Sequence, residues 1–342
     1  MRRTILKTLL AAPVVTAFPA VWAQAAKIEK PKLIIAVGGK NLFYYLPLSI
    51  AERLGYFKAE GLDVEIPDFA GGSKALQALV GGSADVVSGA YEHTINMQAK
   101  NQAIQEFVLQ GRAPQIVLGV SNKTMPDYKS LADLKGKKIG VSAPGSSTSM
   151  MATYVLAKAG LKASDVSFVG VGTSSGALSA VKSGQVDAIA NLDPVITMLE
   201  RDKAIRVVSD TRTLKDTQAV YGGPMPAACL YAPAKFLAEN PNTAQALANA
   251  MVRALRWLQK TGPSELVKTV PESYLLGDRS LYLEAWQHVK EAMSPDGIMP
   301  EAGPPTALKM LQTFETSIAD KKIDLSKTYT NAFAKKAAAK YA

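Results

Sequence analysis

KALQALVGGSADV, Lys74–Val86, recurs 102 positions later as GALSAVKSGQVDA, Gly176–Ala188. Ala75 matches Ala177, Leu76 matches Leu178, Ala78 matches Ala180, Gly82 matches Gly184 and Asp85 matches Asp187. The echo extends upstream: AERLG (Ala51–Gly55) parallels LAKAG (Leu156–Gly160), and the apolar run Leu33–Val37 parallels Ile139–Ser142. One supersecondary unit written twice predicts two similar lobes with a ligand-sized crevice between them.

Periodicity outlines each copy. The first reads strand (Leu33–Val37), helix (about Pro47–Glu60), strand (Leu62–Ile66), helix (Ser73–Gly81) and strand (Ala84–Ser88), then apolar runs at Glu106–Leu109 and Gln115–Val120. The second reads strand (Lys138–Ser142), helix (Ser147–Ala159), strand (Val166–Val171), helix (Gly176–Lys182), strand (Val186–Ala190) and a closing strand (Ile205–Ser209). Apolar residues at helical spacing alternate with β-branched runs bounded by Gly and Asp, which argues parallel sheets covered by helices. After Tyr221–Pro226 the pattern turns helical, and this last third is expected back on the first lobe. The expected fold class is therefore α/β, two doubly wound lobes with extra C-terminal helices. Lobe 1 takes 28–120 plus 222–342 and lobe 2 takes 121–221. The two crossings fall near Leu118–Asn122 and Val220–Pro226, where Gly222, Gly223, Pro224 and Pro226 suit a hinge.

An apolar content of 48% excludes a disordered chain, and 342 residues suffice for two cores. Arg2, Arg3 and Lys7 precede an apolar stretch, Leu9–Trp22, that ends in small residues, so residues 1–23 read as a secretory signal with cleavage after Ala23 or Ala25. Arg2-Arg3 also resembles a twin-arginine leader, although the ordinary secretory route is favoured because no folded cofactor is evident. Cys229 stands alone, which excludes an internal disulfide and suits a free periplasmic protein. No later apolar run reaches about 18 residues, so no membrane insertion is expected. The basic residues behind the net charge of +10 are scattered without interleaved aromatics, so no nucleic-acid partner is expected either.

Four stretches in order, PLSIAERLGYFKAEGLDVEI, FAGGSKALQALVGGSADV, LADLKGKKIGVSAPGSSTS and SGQVDAIANLDP, resemble the periplasmic nitrate/sulfonate/taurine-type substrate-binding proteins of ABC importers. The same group includes members similar to thiamine-pyrimidine-precursor binding proteins. The resemblance implies a monomeric, hinge-closing fold like the type II periplasmic binding proteins. It also implies delivery of a small molecule to a membrane permease and its ATPase. The first ligand class implied is a sulfonate such as taurine; an aromatic or pyrimidine-like compound is the alternative.

Ligands of open α/β sheets sit beyond the carboxyl ends of the strands, which nominates six loops. Asn41, Phe43, Tyr44 and Tyr45 follow the first strand, and three consecutive aromatics cannot all face a core. Gly72 and Ser73 open one helix; Ser146, Ser147 and Thr148 open its counterpart. Both starts offer N–H groups and hydroxyls to an acceptor, unless the serines merely cap their helices. Tyr91, Glu92 and His93 follow the third strand and Asp193 its equivalent. The carboxylates favour a ligand with donors, although Asp193 also fits a helix cap and His93 a structural role. Arg112 suits either a ligand acid or a solvated loop.

Ser174 lies in Gly172-Thr173-Ser174-Ser175-Gly176, a G-x-S-x-G match between a strand and a helix, with His288 as the candidate base. The repeat explains that loop as the partner of Ala70–Ser73, so no enzyme is expected. Two histidines and one cysteine, without zinc spacing, predict no metal site. No nucleotide fingerprint is present, so no cofactor is expected. A two-lobed signalling partner that transports nothing shares these features.

Overall fold

The computed structural model describes residues 27–342, so the expected leader lies outside the described residues. Ten strands form two sheets: β1 (Lys32–Val37), β2 (Asp63–Glu65), β3 (Val86–Ala90), β4 (Ile104–Leu109), β5 (Val117–Ser121), β6 (Lys138–Val141), β7 (Ser167–Gly170), β8 (Ala188–Asn191), β9 (Ile205–Asp210) and β10 (Ala228–Pro233). The orders are β2-β1-β3-β10-β4 and β7-β6-β8-β5-β9. In each sheet the three repeat strands pair in parallel, and a strand arriving from the other half inserts antiparallel beside the third. The expected α/β class holds.

The duplicated residues do duplicated work. Asp85 accepts the Ile34 N–H at 2.9 Å through its carboxylate and donates its own N–H to the Ile34 carbonyl at 3.0 Å. Asp187 treats Lys138 the same way, at 3.0 and 2.8 Å. Each aspartate thus ties the start of the third strand to the start of the first. Gly82 and Gly184 end the preceding helices with φ of +76° and +83°, a left-handed conformation that costs glycine least.

Three expectations need correction. The helix read as Pro47–Glu60 is two, Leu46–Arg53 and Tyr56–Ala59, broken at Gly55 with φ +69°. The apolar run Gln115–Val120 does not finish the first sheet. It becomes β5 of the second, so the first crossing lies at 110–116, ahead of Leu118. The stretch after Pro226 is not helical from the outset: β10 returns to the first sheet between β3 and β4. The crossings run side by side. Thr211 exchanges backbone bonds with Gln115 and Ile116, and Gly111 exchanges bonds with Ala227 and Ala228.

The helical third straddles both halves. Glu60 binds Asn249, Lys340 and Tyr341, which fastens the C-terminus to the first half. The helix Arg279–Val289 instead reaches the second half, through Arg201–Asp278 at 2.7 Å and Thr197–His288 at 3.3 Å. No helix among the described residues is long and apolar enough to cross a membrane.

Candidate ligand-binding site

The nominated loops of the two halves meet tip to tip. At one lip the Ser73 N–H donates to the Ser146 hydroxyl at 3.0 Å, Ser146 donates to the Ser73 hydroxyl at 3.2 Å, and Ser73 donates to the Pro144 carbonyl at 2.9 Å. A Cβ on Gly71 would lie 2.8 Å from that of Ala143, so only glycine permits this approach. At the other lip Asn41 and Thr173 exchange bonds of 2.9 and 3.2 Å, and the Phe43 N–H reaches the Asp193 carbonyl at 3.3 Å. The two helix starts expected to offer donors to a ligand thus spend Ser73 and Ser146 on each other.

Between the lips lies a cluster of tyrosines around one carboxylate. The turn Phe43–Tyr45 divides its aromatics: Phe43 packs on Tyr282 and Trp286, with centroids at 4.5 and 5.7 Å, while Tyr44 and Tyr45 meet edge to face at 4.8 Å. Glu92 opens the helix Glu92–Ala99, is 4% exposed, and has no hydrogen-bond partner for Oε2 among the described residues. Burial pushes its pKa up to about 7, with no cation opposing the rise. Burial first, and then the nearby Glu92 charge, raises the pKa of Tyr44 and Tyr221 well above the usual phenol value; Tyr231 is raised likewise by burial, then by Tyr45 and Cys229, with Glu92 contributing least. Tyr45 shifts the same way, with burial the largest cause and Glu92 among the others. The Tyr44 hydroxyl also lacks a hydrogen-bond partner among the described residues. Tyr221 stacks on Tyr154 at 5.2 Å, which fixes its ring.

His93 borders this cage. Its Nδ1 pairs with the Tyr231 hydroxyl at 3.1 Å, while the buried Nε2 has no hydrogen-bond partner among the described residues. Burial pulls its pKa down to about 4, against the pull of the Gly145 backbone, so the ring is neutral at pH 7. Gly72 leaves room here: a Cβ would lie 3.4 Å from the His93 ring and 3.5 Å from the Tyr45 hydroxyl. Ser147 is buried at the start of its helix on the opposite side, beside Tyr44.

Five nominated residues lie elsewhere. Tyr91 turns into the core, where its hydroxyl meets Thr328 at 2.5 Å. Arg112 donates to the Glu291 carbonyl at 2.8 Å, on the hinge side. Thr148 closes its own loop through Ser142 at 2.9 Å. Asp193 takes the Thr197 N–H at 2.8 Å and hydroxyl at 2.7 Å, and lies 3.6 Å from the Arg212 guanidinium. Ser174 is half-buried, while His288 Nδ1 faces Thr197 and Arg212, each at 3.3 Å, so no Ser–His pair exists between them. Tyr221, Tyr231 and Tyr154 escaped the sequence reading. Gly89 carried the signal for Tyr231, because a Cβ there would strike the Tyr231 ring at 2.6 Å.

Residues 43–263 match the family described as NMT1/THI5 like. A solved protein from Bordetella bronchiseptica RB50 is 60% identical, over 92% of this chain and 99% of that one, with a TM-score of 0.90. The alkanesulfonate-binding protein SsuA from Xanthomonas axonopodis pv. citri, solved with MOPS bound, is 20% identical over 90% of this chain and 100% of its own, with a TM-score of 0.68. A curated Brucella abortus (strain 2308) protein, named as a binding protein, is 35% identical over 153 residues. That match spans 43% of this chain and 44% of the Brucella protein, so the chain covers less than half of this relative's length.

Proposed function

The chain belongs to the NMT1/THI5-like family and has the periplasmic binding-protein fold, and from that premise we propose that it is the solute-capturing component of an ABC importer. Its relatives are binding proteins, not enzymes. In this reading it works in the periplasm as a monomer. The two sheets swing about the paired crossings at 110–116 and 211–227, close on one small organic molecule, and release it to a permease and its ATPase. Closure is driven by the ligand's preference for the shut state, since a molecule touching both halves is fully bound only there.

The observation that carries the ligand assignment is Glu92, a buried carboxylate with an unpartnered oxygen inside a ring of tyrosines. Leaving such a group unpaired is costly, and a ligand N–H or ammonium is the group that would pair it. Flat aromatic walls suit a planar, partly apolar body. The favoured ligand is therefore a nitrogen-donor aromatic, of the amino-pyrimidine type. A sulfonate finds little here: Arg112 is engaged at the hinge, and Ser73 and Ser146 hold each other.

A thermal-shift screen of amino-pyrimidines, aromatic amines, aromatic carboxylates and alkanesulfonates tests this. A ligand at about 100 times its dissociation constant adds roughly 2.7 kcal/mol. Stabilisation by a nitrogen-donor aromatic that Glu92→Gln abolishes is the expected result. Stabilisation by sulfonates alone, unchanged in Glu92→Gln, would overturn the ligand class while leaving the capture function standing.

A further inference from the structure

Beside the tyrosine cluster lies a cavity of about 700 Å³. The helices Gly72–Val80 and Glu92–Ala99 form one wall; Pro144, Gly145 and Met150 from the second repeat form the other. Tyr44, Tyr45, Glu92, Tyr221 and Tyr231 take no part in it. His93 lines the cavity, with its Nδ1 held by Tyr231 of the tyrosine cluster at 3.1 Å. The volume falls in the range of small-ligand pockets, about 300–1,000 Å³.

The lining has a definite chemistry. Leu76, Val80, Met97 and Met150 give apolar surface, and Val80 stands out as a large apolar side chain left 48% exposed. Lys100 and Glu315 line the same cavity, one charge of each sign, and neither side chain forms an ion pair or hydrogen bond among the described residues. His93, 1% exposed, is part of the wall and not a polar contact within it. The halves touch here through Asn96 Nδ2 and Met150 Sδ at 3.7 Å, so the walls come together only when the crevice is shut.

We propose that this cavity is a second binding site, formed on closure, for a zwitterion of about dipeptide size that carries apolar side chains. The carboxylate pairs with Lys100, the ammonium with Glu315, and the side chains cover Leu76, Val80, Met97 and Met150. Mismatched charge at either end is rejected, because it would leave one wall charge facing its like. An occupant that requires the closed state and a cage ligand that requires it too must strengthen each other's binding reciprocally. The assignment is independent of what the cage holds.

Isothermal titration of the full chain with L-leucyl-L-leucine tests the site. Saturable binding is expected. N-acetyl-leucyl-leucine and leucyl-leucine amide, each lacking one charge, bind at least about tenfold more weakly, as do Lys100→Glu and Glu315→Lys with the free dipeptide. Glu92→Gln leaves dipeptide binding unchanged, which separates this site from the cage. No binding at millimolar dipeptide overturns the proposal. So does binding indifferent to both blocking groups or to both charge reversals, and so does loss of dipeptide binding in Glu92→Gln. Small-angle scattering supplies a second readout: dipeptide that binds without compacting the molecule, in a protein shown to open, removes the closure requirement.

Discussion

Glu92 and Asp193 both lie just beyond the third strand of their repeats, one register position apart, and they meet opposite fates. Both are buried, at 4% and 1% exposed. Asp193 Oδ1 accepts the Thr197 N–H and hydroxyl, and the carboxylate sits beside Arg212, which Asp210 and Glu200 also hold, at 2.6 and 2.8 Å. Glu92 has no such supports among the described residues. Neighbours make one strand-end carboxylate a brace and leave the other with an oxygen that the proposed ligand would pair.

The largest effect is expected on the braced side. Arg212→Ala strips the guanidinium from a buried acid, and removing one partner of a buried pair costs about 3–5 kcal/mol. Urea denaturation is expected to show a loss of that order. A loss below about 1 kcal/mol, typical of exposed pairs, would mean that Asp193 is not braced by charge.

Glu92→Gln is the next largest, and it acts on binding. A hydrogen bond to a charged group is worth about 1.5–3 kcal/mol, so affinity for a donor ligand falls roughly 10- to 100-fold. Because burial lifts Glu92 to about 7, the affinity of the parent rises as pH climbs through that value, whereas that of Glu92→Gln stays flat. Stability of the empty protein moves the other way. Between about 4.5 and 7 the folded state keeps a proton that the unfolded chain gives up, so stability falls as pH rises through that window. His93 contributes the opposite slope from about 4 to 6.5, because there the unfolded chain binds the extra proton. Glu106 and Asp193, buried carboxyls also held above their usual range, add a falling slope common to both proteins, so the readout is the difference: Glu92→Gln is expected to gain stability relative to the parent as pH rises from about 4.5 to 7. Melting curves across pH 4–8 for both proteins decide it; parallel curves would remove Glu92 from the account.

The repeat was legible in the sequence because its matched residues carry backbone duties: Asp85 and Asp187 tie strands, and Gly82 and Gly184 turn left-handed. The strand-end rule then nominated Tyr44, Tyr45, Glu92 and His93, which the structure buries near one another. It failed for Tyr231 because Ala228-Cys229-Leu230-Tyr231 has no β-branched residue to announce a strand. Its place between β3 and β4, buried on both faces, overrides that weak local preference. Arg112 was out of reach for a different reason. Its role depends on the Glu291 carbonyl, 179 positions away, and no local pattern reports such a contact.

The two lips offer the finest test of the comparison between halves. Ser146→Ala removes the acceptor for the Ser73 N–H, and Asn41→Ala removes both bonds to Thr173. Neither change deletes a cage tyrosine or Glu92, so both act on the open–closed balance and leave the ligand's own contacts in place. Each lost neutral bond is worth about 0.5–1.5 kcal/mol, and that amount reappears as a loss of affinity of up to about tenfold, carried by the fraction of molecules able to close. The signature lies in distinguishing closure from contact. A disulfide joining the lips should restore most of the affinity to Ser146→Ala and Asn41→Ala but none to Glu92→Gln, because it supplies the closed state and not the carboxylate. Equal rescue of all three variants would mean that Glu92, like the serines, merely holds the halves together.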